Sequence, residues 1–160
     1  MKKKVVEFEI LNLSSNDDVL MNAALDCFGQ AFDEDETYSS NRPSKEYFAS
    51  LISDGSFICL VAMIGSNVVG ALAAYEIRKF EQERSEIYIY DLAVNQNFRR
   101  KGIATALIKS LRPIAADKGA WVIYVQADYV DEPAVKLYSK LGVKEEVLHF
   151  DIPIKTNNHT

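Results

Sequence analysis

Apolar residues recur along this 160-residue chain with two periods, and the switches between them mark its elements. Val5 to Leu13 alternates, with Val6, Phe8 and Ile10 set against Glu7 and Glu9, which predicts a half-buried first strand. A helical stripe follows, made of Val19, Leu20, Ala23, Ala24, Cys27 and Phe28 and ending near Phe32. Ser14 or Ser15 is placed to cap it, and Asp17 and Asp18 lie in its first turn. Residues Asp33 to Pro43 are acidic and polar without periodicity and predict a loop. Ser44 opens a second helix whose Tyr47, Phe48, Leu51 and Ile52 face inward, and Asp54-Gly55 stops it. Phe57 to Ile64 is continuously apolar. With the turn Gly65-Ser66-Asn67 and the returning Val68 to Ile77, it predicts a hairpin.

The second half repeats a strand–helix alternation. A charged connector, Lys79 to Arg84, leads into the β-branched and aromatic strand Glu86 to Val94. The basic stretch Phe98-Arg-Arg-Lys-Gly102 then runs into a helix with Ile103, Ala104, Leu107, Ile108 and Leu111 on one face. Lys118-Gly119 ends that helix, and Ala120 to Ala127 predicts a buried strand. Asp128 to Glu132 reads as a loop, Pro133 fits a first helical turn, and Gly142 ends the last helix. Val143 to Ile152 predicts a final strand, with a polar tail behind it. The resulting order, βααβββαβαβ, is an α/β (α+β) arrangement. It fits one domain over residues 1–152 and a tail at 153–160, without repeats or a linker.

The turn into the third long helix carries chemistry. A helix start presents unpaired amides and the positive end of the peptide dipoles, which suits an anionic group. Arg99, Arg100 and Lys101 add charge, and Gly102 permits close backbone approach. This combination reads as a diphosphate cradle. Neither the G-x-x-x-x-G-K-[ST] loop nor the G-x-G-x-x-G fingerprint occurs. The spacing Arg99-x-x-Gly102-x-Ala104 resembles the R/Q-x-x-G-x-G/A turn of the GNAT superfamily of N-acetyltransferases. A second stretch, Ala134-Val-Lys-Leu-Tyr138-Ser-Lys-Leu-Gly142-Val, is similar to that family's C-terminal signature.

The resemblance implies a mixed, mainly antiparallel sheet flanked by helices, and acetyl-coenzyme A as cofactor. The backbone from Arg99 through Arg100, Lys101, Gly102, Ile103, Ala104 and Thr105 would hold its pyrophosphate. Leu92, Ala93 and Val94 would pair with the pantetheine amides where the sheet splays. Asp131, Ala134 and Tyr138 would add contacts, although the family often has an asparagine near the position of Asp131.

Composition narrows the setting. Apolar content of 48% and charged content of 26% are ordinary for a globular protein. A net charge of −5 argues against nucleic acid and suits a cationic small molecule. No stretch reaches membrane-spanning length. The basic Met1 to Lys4 is followed by residues too charged for a signal peptide. Cys27 and Cys59 lack metal-type spacing and predict reduced core thiols in a cytoplasmic protein; no metal site is expected.

Direct acetyl transfer needs an unprotonated amine, a polarised thioester carbonyl and a proton for the departing thiolate. Asp91 interrupts an apolar strand just before the expected pantetheine contacts, which makes it the leading candidate for the base. Glu86 and Tyr88 on the same strand are second candidates. Tyr138 is the candidate acid, by its place in the C-terminal signature. His149 is read as a structural residue in mid-strand, and His159 as part of the tail. Glu34, Asp35, Glu36, Tyr88, Asp91, Asp128 and Glu146 are candidates for holding a cationic acceptor.

A narrower resemblance covers about Ala23 to Asp151. Gly70-Ala-Leu-Ala-Ala-Tyr75, Arg84-Ser-Glu-Ile-Tyr-Ile-Tyr-Asp-Leu-Ala-Val94, Val122-Ile-Tyr-Val-Gln-Ala-Asp-Tyr129 and Glu145-Glu-Val-Leu-His-Phe-Asp151 are similar to aminoglycoside 3-N-acetyltransferases of the gentamicin and fortimicin type. That resemblance implies an aminoglycoside acceptor, transfer to the 3-amine of 2-deoxystreptamine, and a homodimer. A polyamine or protein-amine acceptor, or a coenzyme A-binding module without turnover, are the alternatives.

Overall fold

A computed structural model describes residues 6–155. Met1 to Lys4, Val5 at the start of the expected first strand, and the tail from 156 onward with His159 lie outside the described residues. The structure forms two compact units, one ending at Gln126 and the other beginning at Ala127.

The first unit is built on one sheet. Strands β1 (Glu9–Asn12), β2 (Phe57–Ile64), β3 (Asn67–Arg78), β4 (Ser85–Val94) and β5 (Ala120–Val125) lie side by side in sequence order. The pairings are antiparallel except for β4 with β5, which run parallel. A parallel pair requires a crossover, and α4 (Ile103–Asp117) supplies it. Helices α1 (Asp18–Phe32), α2 (Asp35–Ser39) and α3 (Lys45–Ser53) connect β1 to β2.

Both faces of the sheet are covered at β2, which is why it reads as an unbroken apolar run and is buried along nearly its whole length. On one face Cys59, Val61, Ala71, Ala73 and Ala93 pack with Met21, Ala24, Cys27 and Phe28 of α1 and Phe48 of α3. The other face receives the apolar side of α4, where Leu107 and Leu111 are fully buried. Gly70 of β3 permits this approach. A Cβ there would stand 2.9 Å from Ile103 Cγ2, closer than packed side chains tolerate, and 3.3 Å from the Ala93 carbonyl oxygen.

Local signals explain most boundaries. Ser44 accepts the amide of Tyr47 at 3.1 Å and starts α3. Gly119, at φ +70°, ends the α4 turn in the left-handed region. Several boundaries differ from the sequence reading. Among the described residues β1 covers only Glu9–Asn12 of the expected Val5 to Leu13, and β5 stops at Val125 with none of its residues fully buried. Helix α1 starts at Asp18, because Asp17 folds back to accept from the amide of Ser14 at 2.6 Å and its hydroxyl at 2.7 Å. Ser14 is therefore a donor to the turn, not a cap. The acidic loop contains α2, a single helical turn carrying Asp35 and Glu36.

The second unit contains α5 (Glu132–Leu141), with Pro133 in its first turn as expected. The predicted final strand over 143–152 is not formed: these residues have no strand pairing. Val143, Leu148 and Ile152 are instead at least 84% exposed. Alternation specifies which side chains share a face, whereas a ladder also needs a neighbouring edge. His149 accordingly lies at the surface beside Asp151, 3.0 Å away, and not within a strand.

Candidate active site

The geometry turns on an irregularity in β4. Ala73 opposes Asp91 and Ala74 opposes Ile89, so Tyr90 is an extra residue, a β-bulge. Strict alternation from Glu86 and Tyr88 would send Asp91 to the α4 side. The bulge resets the count and leaves Asp91 on the α1 face with Tyr88, opposite Ile87 and Ile89.

Asp91 is half-buried there, and Oδ2 accepts the hydroxyl of Tyr38 at 2.9 Å. Burial raises its carboxyl above the usual carboxylate range, the Tyr38 hydrogen bond opposes the rise, and the negative charge of Glu34 adds to it. Among the described residues no cation pairs with this carboxylate. A desolvated carboxylate without a counter-ion is the arrangement expected of a proton acceptor that meets a cationic ligand.

Around it lies a tyrosine-lined face. Tyr75 and Tyr90 meet edge to face at 5.9 Å, as do Tyr90 and Tyr88, and Tyr88 stacks on Tyr124 at 4.8 Å. Tyr88 also donates to Gln126 Oε1 at 2.9 Å. Glu86 is held by Lys79 Nζ at 3.4 Å, so its charge is already partnered, unlike that of Asp91. Sequence reading missed the other tyrosines and Tyr38. Only the aromatic alternation in β4 hinted at the face, and nothing local tied Tyr38 to Asp91.

The strand beyond the bulge is open. Pairing of β4 with β5 ends at Ile89–Val125, so Tyr90 to Val94 keep their outer backbone groups free of β5. Leu92, Ala93 and Val94, the expected pantetheine contacts, occupy this stretch beyond the end of β5. From it the chain passes through a 3-10 turn (Gln96–Phe98) to α4.

Gly102 stands at the N-cap of α4 with φ +82°, without a side-chain cap. The first hydrogen bond of the helix runs from the amide of Ala106 to Gly102 oxygen at 2.9 Å, so the amides of Ile103, Ala104 and Thr105 precede the helical ladder. Two of the three basic residues brace the turn: Arg99 Nε donates to Val94 oxygen and Lys101 Nζ to Asn97 oxygen, each at 3.1 Å. Arg100 is exposed and adopts φ +60°. An uncapped start of a 15-residue helix, beside an unpaired strand stretch, fits the paired phosphates and amide arm of coenzyme A.

The remaining candidates separate by position. Glu34, Asp35 and Glu36 are exposed around the start of α2. In the second unit, Asp131 caps α5 by accepting the amide of Ala134 at 3.2 Å, which already gives both residues a structural role. Burial, aided by Asp131, pushes the Tyr138 phenol up to about 12, so it stays protonated. Asp128 is exposed, and Glu146 pairs with Lys144 at 2.8 Å. Among the described residues no helix is long and apolar enough to cross a membrane, and no acid, histidine or cysteine cluster could hold a metal.

A bulged strand with a half-buried carboxylate, a strand stretch that runs past the end of its parallel partner, and a bare helix start are features that an acyl-coenzyme A N-acyltransferase can use. The chain belongs to the Acetyltransferase (GNAT) family, whose profile matches residues 19–143. Acetyl-coenzyme A is the acetyl donor of that family. Among solved structures, the chain is 55% identical to the aminoglycoside acetyltransferase HMB0005 from an uncultured soil metagenomic sample. That match has a TM-score of 0.91 and covers 93% of this chain and 99% of that one. It is 29% identical to the aminoglycoside acetyltransferase meta-AAC0020, also from an uncultured soil metagenomic sample and solved in complex with sisomicin. Here the TM-score is 0.84, with 92% and 97% covered. The N-acetyltransferase 8F1 of Rattus norvegicus is 26% identical over 121 residues, which is 68% of this chain and 54% of the relative. The chain thus spans about half the length of the first curated relatives it matches.

Proposed function

We propose that this chain transfers the acetyl group of acetyl-coenzyme A to the 3-amino group of the 2-deoxystreptamine ring of an aminoglycoside, and so confers resistance. The observation that carries the reading is Asp91, a half-buried carboxylate with no cationic partner among the described residues. The bulge turns it onto the tyrosine-lined face at the free stretch of β4. Fifty-five per cent identity to an aminoglycoside acetyltransferase over 93% of the chain supports the acceptor class.

The coenzyme supplies the activated acetyl group when bound. The amides of Ile103, Ala104 and Thr105 receive its phosphates, with charge from Arg99, Arg100 and Lys101. Leu92, Ala93 and Val94 hold its amide arm by strand-like pairing. An acceptor ammonium is drawn to the tyrosine face by Asp91, with Glu34, Asp35, Glu36, Glu86 and Tyr88 as further acceptor contacts. Asp128 and Glu146 are assigned to the acceptor from their charge in the sequence alone. Asp91 takes the proton that makes the amine nucleophilic, and its raised affinity for protons makes it a better base than an exposed aspartate. Tyr138 is assigned as the acid for the departing sulfur by its place in the C-terminal signature. Its phenol carries the proton this role needs.

We further propose a cytoplasmic homodimer. Cys27 and Cys59 are buried and unpaired, the cysteine usage common in a reducing compartment. Exposed Leu148, Phe150 and Ile152 offer apolar surface that a second copy would cover. Light scattering should give the mass of two chains; a one-chain mass across micromolar concentrations removes the dimer.

Thiol release from acetyl-coenzyme A should appear with gentamicin, sisomicin and fortimicin, and product NMR should place the acetyl on the 3-amine. Absence of turnover across the panel, with coenzyme A still bound, defeats the acceptor assignment. Preference for spermidine over gentamicin in competition would move the acceptor to polyamines.

A further inference from the structure

The acidic segment around α2 is anchored independently of the sheet. The Tyr38 ring packs on Phe28 and Phe32 of α1, with centroids 6.0 Å away in each case. Arg42 Nε donates to the Tyr38 carbonyl at 3.2 Å, and the same guanidinium binds Asn22 at 3.3 Å and pairs with Asp26. Gly29 makes the close approach possible: a Cβ on it would stand 3.3 Å from Tyr38 Cβ and 3.1 Å from Asp35 Oδ1. The phenol is therefore delivered to Asp91 from a frame that does not need Asp91. Its contact with the carboxylate spans 53 residues of sequence.

We propose that Tyr38 is a positioning residue for acetyl transfer: its hydroxyl holds Asp91 Oδ2, fixes the carboxylate's rotation, and leaves Oδ1 for the acceptor nitrogen. This rests on the reading of Asp91 as the base. The geometry suits that role because a phenol donor orients a carboxylate without neutralising it, whereas an arginine or lysine would quench it. Burial keeps the Tyr38 phenol protonated, with Asp91 and Glu34 adding to the effect. The titratable groups facing Asp91 are Glu34 before α2, Tyr38 on α2, Tyr75 on β3, and Tyr88 and Tyr90 on β4. Tyr38 is the one of these that donates to it.

Tyr38→Phe keeps the ring against Phe28 and Phe32 and removes only the donor. Loss of a charge-assisted hydrogen bond should lower kcat about tenfold and leave KM for acetyl-coenzyme A unchanged. The acid limb of the kcat–pH profile should also move up by about one pH unit, since a stabiliser of the charged form is gone. Carbon-13 NMR titration of the aspartate carboxyls reads the same shift without turnover. A Tyr38→Phe profile and carboxyl titration that superimpose on the wild type, or a fall in activity that only tracks a lower melting temperature, overturn the proposal. Asp91→Asn measured alongside separates the two readings. If it is inactive while Tyr38→Phe behaves as wild type, only Tyr38 loses its role. If Asp91→Asn turns over normally, the base assignment itself fails.

Discussion

Asp91→Asn is expected to lower kcat by about 10²- to 10⁴-fold, the range associated with loss of a general base, while coenzyme A binding is retained. The amide is isosteric, and its oxygen can still accept the Tyr38 hydroxyl, so the bulge and the tyrosine face should persist. The cradle at the start of α4 lies on a different element and should not respond.

The same substitution tests whether the carboxylate is held for chemistry or for stability. Burial raises the Asp91 pKa in the folded state. A carboxyl raised in this way contributes stability that is full below the ordinary carboxylate range and is lost as pH rises through the raised value. At neutral pH the ionised side chain is therefore a net burden on the fold, and Asp91→Asn should keep or raise the melting temperature. The difference should disappear on acidification below that window. Calorimetry at several pH values, run beside steady-state kinetics, reads both effects. A variant that loses coenzyme binding, melting temperature and turnover together would make Asp91 a structural residue.

How far the chain disclosed this site depended on whether each signal was local. The hairpin of β2 and β3, the Ser44 cap, Gly119 and Pro133 are set by residues adjacent in sequence, and the pattern located them. The glycine-bearing basic turn was equally legible, because an amide-rich helix start is written in a few consecutive residues. The bulge was not. It arises from the opposition of Ala73 and Ala74 to a strand with one residue too many, a property of the pair that neither strand's alternation reveals. Tyr38 was hidden for a related reason: a helix of five residues, α2, is too short to show a period. The residues at 143–152 show the opposite failure, a clear strand pattern without strand pairing among the described residues.

The second large effect is expected at Gly102, where valine should raise KM for acetyl-coenzyme A about tenfold or more and change kcat less. At φ +82° the backbone is left-handed, and a Cβ on Gly102 would have open space within 4 Å, so the penalty comes from the backbone and not from a clash. Left-handed geometry costs an ordinary L-residue roughly 1–2 kcal/mol, and more when it is β-branched. That is enough to drive the turn to a negative φ, and such a rotation re-aims the amides of Ile103, Ala104 and Thr105 away from a shared focus. Each 1.4 kcal/mol lost from phosphate binding is about a tenfold loss of affinity. Gly119 provides the control, since it has φ +70° and equally open space at the far end of the same helix. Gly119→Val should carry a similar strain, seen as a lower urea midpoint, with unchanged coenzyme affinity by calorimetry. Equal affinity loss in both variants would mean that α4 responds to strain as a whole, and the cradle would lose its claim to the phosphates.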